Sequence, residues 1–187
     1  MPKPLVLPGG DLPVVMADAG PLITLAYADA LELLLAPGWP LVMVDMVLEE
    51  LTRSDTPTSQ RIATWVAEQR IFVLATEVCR RSSGRRQRHL GEMAIQEAMH
   101  ALALNVPPRR GVFLFEDHKI ARASFLLPAG CSKVTTRSWL MFLERQGWLE
   151  SAGLSCVSTA PPLPASRFRA TRPLRSGPPA ARCAGPR

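Results

Sequence analysis

The sequence lacks the cysteine and histidine spacing on which structural zinc sites are built. Its cysteines stand 52, 25 and 27 residues apart, so no CxxC pair or Cys/His cluster exists. The phosphate-binding loops GxxxxGK[ST] and GxGxxG, the GxSxG nucleophile motif and the HExxH zinc motif are also missing. These absences argue against a zinc protein, a nucleotide-binding enzyme of the common types and a serine hydrolase. The four cysteines are Cys79, Cys131, Cys156 and Cys183.

Long apolar runs are scarce as well. The longest, residues 21–37, carries two acids and is too short to span a bilayer. Prolines and Asp11 interrupt the N-terminus, so no signal peptide is expected. We therefore expect a cytoplasmic protein without a membrane partner. Aromatic residues make up only 6% of the chain, and three of the four tryptophans fall at apolar helical positions, which predicts core packing instead of base stacking: Trp65, Trp139 and Trp148.

Acidic residues are absent from the C-terminal part of the chain. All 16 acids lie at or before Glu150, whereas six arginines follow it. The net charge of +6 therefore belongs to the C-terminal segment, and the first 150 residues balance. Residues 157–187 also hold seven prolines, a composition typical of a disordered tail. Residues 1–156 are predicted to form one folded domain.

Short apolar runs alternate with stretches of helical periodicity along this domain. Such continuous Val, Leu, Ile and Phe runs are typical of parallel strands buried on both faces. The fold class predicted is a three-layer α/β/α sandwich with a mainly parallel central sheet. Strands are predicted at 12–17, 41–44, 71–75, 112–115 and 133–135, helices at 22–35, 46–53, 58–69, 91–104, 118–125 and 136–146, and a basic loop at 80–88.

Acidic residues follow two of the most apolar runs. Asp18 ends the first strand, and Asp117 lies just past the strand 112–115. Ligands of open parallel sheets bind beyond the carboxyl ends of the strands, although Asp is also a common helix N-cap at such junctions. Glu50 and Glu92 have suggestive helical positions, with the alternatives of a solvated helix face and of helix-dipole complementation respectively.

These residues carry a resemblance to a known family. The blocks DAGPLI at 18–23, VLEEL at 47–51, GEMAIQEA at 91–98, FEDHKIARA at 115–123 and TTRSWLMFLERQGWL at 135–149 resemble the successive blocks of PIN domains. They are most similar to the toxin-type ribonucleases of type II toxin–antitoxin pairs. The resemblance covers about four-fifths of the chain.

The resemblance implies a metal-dependent endoribonuclease that cuts single-stranded RNA at a four-carboxylate site. Carried over block by block, Asp18, Glu92 and Asp117 bind Mg²⁺ or Mn²⁺, and Glu50 orients or deprotonates the attacking water. Glu49 competes with Glu50 for its place, as Glu116 does with Asp117. An antitoxin and a second copy of the chain are the partners expected besides RNA.

Two further points stay open at the level of sequence. The arginines of the 80–88 run either follow an RNA backbone or belong to a solvated loop. A PIN-like domain with little activity, acting as a binding or regulatory module, is the alternative to a nuclease, because a fold does not guarantee a competent site.

Overall fold

The computed structural model describes residues 10–82, 89–116 and 126–149. The predictions of a helix at 118–125 and of a disordered tail at 157–187 lie outside these residues, as does Asp117. Within them, no helix combines the length and the apolar character needed to cross a lipid bilayer.

The described residues include five strands that run parallel to one another. They are β1 (Val14–Ala17), β2 (Val42–Val44), β3 (Phe72–Leu74), β4 (Gly111–Phe115) and β5 (Cys131–Thr135). The strand β4 pairs with β1 on one side and with β5 on the other, and β2 pairs with β3. The two parts are joined by one parallel bridge between Val15 and Leu41, and the Val15 N–H donates to the Pro40 carbonyl at 2.9 Å. The order across the sheet is therefore β3-β2-β1-β4-β5.

Side chains are more buried in the central strands of the sheet than in the two edge strands. Every residue of β1 and β2 is buried, as are most residues of β4, whereas the edge strands β3 and β5 are partly exposed. Strands covered by helices on both faces need apolar side chains on both faces. Within the described residues, each edge strand has a neighbour on one side only, and β5 includes the polar residues Ser132 and Lys133.

The helices are α1 (Ala19–Tyr27), α2 (Asp45–Thr52), α3 (Pro57–Glu68), α4 (Glu77–Ser82), α5 (Leu90–Ala103) and α6 (Thr136–Arg145), with a short 3-10 helix at Leu31–Leu34. Both α1 and α5 pack on β4, and α6 packs on β4 and β5. Helices thus cover the sheet, and the predicted three-layer α/β/α arrangement with a parallel sheet is confirmed.

Two local predictions were wrong. The helix predicted at 22–35 is divided into α1 and the 3-10 helix, because Asp29 takes a left-handed conformation with φ of 55°. The loop predicted at 80–88 begins as a helix, since α4 includes Arg80 and Arg81.

The three tryptophans predicted to pack in the core differ in exposure. Trp65 and Trp139 are buried as predicted, whereas Trp148 is 44% exposed. Trp139 links α6 to the 3-10 helix, because its indole Nε1 donates to the Leu33 carbonyl at 3.1 Å. Its ring also contacts that of Trp39.

Candidate metal centre

The carboxyl ends of the parallel strands bring acidic residues to one edge of the sheet. Asp18 follows β1 directly, Asp45 follows β2 and Glu116 follows β4. The backbone N–H of Asp18 donates to the Leu114 carbonyl of β4 at 2.9 Å, which holds the end of β1 against β4. This edge is where an open parallel sheet binds its ligands.

Asp18 occupies the N-cap position of α1 without acting as a cap. Its backbone is extended, with φ of −72° and ψ of 171°, but its side chain accepts no capping hydrogen bond from the helix. An N-cap aspartate is normally retained for that hydrogen bond. The capping explanation of Asp18 therefore does not hold for α1.

Gly91, at the start of α5, is the point where Asp18 and Glu50 meet. A Cβ atom at Gly91 would lie 3.2 Å from Oε2 of Glu50, 3.3 Å from Cγ2 of Val47 and 3.7 Å from Oδ1 of Asp18. The two carboxylate oxygens are therefore no farther apart than the sum of their distances from that position. Residues 32 apart in the sequence thus place their acids around Gly91, where a side chain would be crowded.

The Glu49 carboxylate contacts Cys79 and Arg53. Its Oε2 lies 3.6 Å from Sγ of Cys79, and its Oε1 lies 3.6 Å from the Arg53 guanidinium. Burial, together with the neighbouring Asp45 and Glu49 carboxylates, raises the pKa of the Cys79 thiol to about 11. The protonated thiol can then donate to Glu49. Of the two adjacent glutamates, Glu50 is the one beside Asp18.

Glu92 follows Gly91 in the chain, and its carboxylate is engaged locally. Its Oε2 lies 2.9 Å from Nδ1 of His89, and the side chain is 24% exposed. His89 precedes α5 in a left-handed conformation, with φ of 70°, which directs its ring back over the first turn of the helix. Glu92 is thus next to Gly91 in the chain, and the partner of its carboxylate is an imidazole.

Glu116 lies over the first turn of α1. Its Oε2 accepts a hydrogen bond from the Thr24 hydroxyl at 2.9 Å. A Cβ atom at Gly20 would approach the Glu116 Cβ to 3.2 Å and its Oε2 to 3.3 Å. Glu116 is therefore held by α1, close to Asp18 in the chain fold. Its competitor Asp117 lies outside the described residues, so the choice between them stays a prediction.

The donor set is suited to a hard cation. Carboxylate oxygens are the ligands that Mg²⁺ prefers, and a small number of them suffices because this ion keeps several waters. In the part of the chain that the structure describes, no group of three or more His, Cys, Asp or Glu side chains is arranged to hold a metal. The pair Asp18 and Glu50 beside Gly91 fits part of such a site.

Two acids that sequence reasoning missed have structural roles. Asp45 accepts from the Met46 N–H at 2.8 Å, from the Thr76 N–H at 2.9 Å and from the Thr76 hydroxyl at 2.7 Å. It thereby ties the end of β2 to the segment that follows β3. Glu97 of α5 accepts from the Glu77 and Val78 N–H groups at 2.9 and 3.1 Å, which caps α4 from outside.

The described part of the basic run is paired with an acid. Both Arg80 and Arg81 form ion pairs with Glu77 in the first turn of α4. These pairs lie on the surface, where an ion pair contributes about 0–1 kcal/mol. They leave the two arginines accessible, and the remaining arginines of the run lie outside the described residues.

Comparison with known proteins adds little to this geometry. No protein-family model and no curated protein matches the sequence. The structure is similar to that of the T. brucei RRP44 PIN domain, with a TM-score of 0.49 and 17% sequence identity over 73% of this chain and 82% of that one. A similarity of this size carries no conclusion about the activity or the family of this chain.

Replacing Gly91 with alanine is expected to weaken Mn²⁺ binding by about tenfold or more, because the new methyl group would displace the Glu50 carboxylate from the space it shares with Asp18. Stability should change by less than about 1 kcal/mol, since the better helix propensity of alanine offsets the crowding. Titration calorimetry with Mn²⁺ and urea unfolding measure the two quantities.

Gly20→Ala is the matched control, because it adds the same methyl group to the first turn of a helix but crowds Glu116 instead. Mn²⁺ affinity should stay at the wild-type value. An equal loss in both variants would mean that Glu116 contributes to cation binding as well, and an unchanged affinity in Gly91→Ala would mean that the Glu50 charge contributes nothing to it.

Proposed function

We propose that this protein is a Mg²⁺- or Mn²⁺-dependent endoribonuclease that hydrolyses phosphodiester bonds of single-stranded RNA. The observation that carries the proposal is the meeting of Asp18 and Glu50 at Gly91. Two like charges in one small space repel each other. A cation bound beside both carboxylates would offset this repulsion, which supports a metal site at this point.

Each carboxylate has a proposed role. Asp18, Glu92 and Asp117 bind the cation. When bound, the cation neutralises charge on the phosphate and makes its water ligands more acidic. Glu50, which is exposed at the border of the site, orients or deprotonates the attacking water. A general base must lie within hydrogen-bond reach of the proton that it removes, directly or through one water.

His89 has a place in this scheme. Its Nδ1 lies 2.9 Å from the Glu92 Oε2. The same contact would help to orient Glu92 as a metal ligand, as partners of metal ligands commonly do. The His89 contact thus gives the Glu92 carboxylate a defined position in the first turn of α5.

The biological setting proposed is that of the toxin in a toxin–antitoxin pair. It rests on the similarity of the sequence blocks at 18–23, 47–51, 91–98, 115–123 and 135–149 to toxin-type PIN domains. An antitoxin would then bind over the carboxylate edge, and a second copy of the chain is a further partner. A catalytically weak PIN-like module is the alternative function.

Metal removal tests the activity directly. The full-length protein is incubated with labelled single-stranded RNA in Mn²⁺, in Mg²⁺ and in excess EDTA. We expect cleavage products with 5′-phosphate and 3′-hydroxyl ends in the presence of either metal and none in EDTA. Cleavage that persists in EDTA would contradict the metal-dependent mechanism. Tight RNA binding without cleavage would favour the binding module.

A further inference from the structure

A cleft of about 290 Å³ opens beside the carboxylates. It is bordered by α1, by the end of α2 and by the start of α3. Glu50 belongs both to this cleft and to the pair at Gly91, and Ala19, which also borders the cleft, directly follows Asp18. The cleft is therefore continuous with the candidate metal centre.

One wall of the cleft is a stripe along α1. Ala19, Ile23 and Tyr27 are spaced four residues apart and so share one face of the helix. The stripe extends about 12 Å from the carboxylate end, at 1.5 Å per residue. Tyr27, the single tyrosine of the chain, is 67% exposed, and Ile23 is 38% exposed. A large ring is thus presented to solvent at the far end of the cleft.

Among the described residues, the remaining lining is apolar or hydroxyl-bearing, and Glu50 is its one charged member. None of these lining residues is a lysine or arginine that could pair with a phosphate group. Its volume lies near the lower end of the range of about 300–1,000 Å³ for small-ligand pockets. It is too small for a partner helix but suits one base with its sugar.

We propose that this cleft is a nucleotide subsite, in which Tyr27 stacks on an RNA base near the scissile phosphate. The inference rests on the proposed ribonuclease function and deepens it. An exposed aromatic ring can stack on any base, because every base has a π-face. Tyr27 therefore sets affinity for single-stranded substrate, whereas base-paired RNA has its faces occupied by neighbouring bases.

The test compares two ligands on the full-length protein with Ca²⁺ in place of Mg²⁺. One is a labelled single-stranded oligouridylate, and the other is an abasic sugar–phosphate chain of the same length. Tyr27→Ala should weaken binding of the oligouridylate at least about fivefold, the lower end of a stacking contribution of about 1–3 kcal/mol per base. Binding of the abasic chain should not change.

Two variants serve as controls. Tyr27→Phe keeps the ring and should bind both ligands as the wild type does. Phe72→Ala removes a ring that is 41% exposed at the start of β3, at the end of the sheet opposite the carboxylates, and should also leave binding unchanged.

Equal losses for the two ligands, or no loss for either, would overturn the subsite. A Tyr27→Ala protein that retains wild-type Mn²⁺ affinity but shows such results would leave the metal centre standing. If the wild-type protein binds neither Mn²⁺ nor RNA, the proposed function fails first and the subsite fails with it.

Discussion

Asp18→Asn is expected to abolish measurable Mn²⁺ binding and to lower the rate of RNA cleavage by about a hundredfold or more. The substitution keeps the shape of the side chain but removes the charge that Asp18 contributes beside Glu50. Loss of one group that stabilises transition-state charge commonly costs about 10²–10³ in rate. Titration calorimetry and the cleavage assay measure the two effects, and Asp117→Asn should behave in the same way.

Glu49→Gln is the control for this prediction, because it also removes one negative charge, at the residue next to Glu50 on α2. Glu49 faces Cys79 and Arg53 instead of Gly91, so Mn²⁺ binding and cleavage should stay near wild-type values. Wild-type Mn²⁺ affinity in Asp18→Asn would rule out the metal centre. Equal losses in both variants would indicate a general effect of surface charge.

Asp45→Ala is expected to destabilise the protein by about 2–4 kcal/mol. The substitution removes the acceptor of both the N–H and the hydroxyl of Thr76, a residue that is only 3% exposed. A hydrogen bond to a charged group contributes about 1.5–3 kcal/mol, and a buried donor without a partner costs a further desolvation penalty. Urea unfolding should show a lower midpoint with an unchanged slope.

The matched control is Asp55→Ala, which removes an exposed carboxylate whose Oδ1 accepts from the Gln60 amide at 2.6 Å. Its stability should change by about 0.5 kcal/mol or less. Equal midpoints for the two variants would show that the Asp45–Thr76 contact contributes little. Folded Asp45→Ala should still bind Mn²⁺ if Asp45 acts only as a structural link.

Asp18 and Asp45 illustrate a limit of sequence reasoning. Each directly follows a buried apolar strand and lies at the start of a helix, so the pattern gives both the same expectation. Their difference depends on the partner of each carboxylate. Asp45 accepts hydrogen bonds from Thr76, which is 31 residues away. Asp18 lies beside Glu50 because α1 and α5 both pack against α2. No local pattern contains these distances.

The strands and most helices could be predicted, since they depend on local periodicity. The break at Asp29 and the helix at Arg80 and Arg81 could not, because non-local contacts stabilise both. At the break, the Arg61 guanidinium donates hydrogen bonds to the Ala26 carbonyl and the Asp29 carboxylate. Glu97 caps α4 from another helix. Periodicity carries no information about a partner supplied by a distant segment.

The sequence by itself determined the fold class, because continuous apolar runs between amphipathic stretches require a parallel sheet covered by helices. It also identified the edge at which acids gather, since the carboxyl ends of parallel strands meet there. Only the tertiary structure decided that Glu50 and not Glu49 lies near Asp18, and that α1 presents Tyr27 in the cleft that Glu50 borders. These choices depend on the rotation and packing of helices, which are set by contacts between segments far apart in the chain.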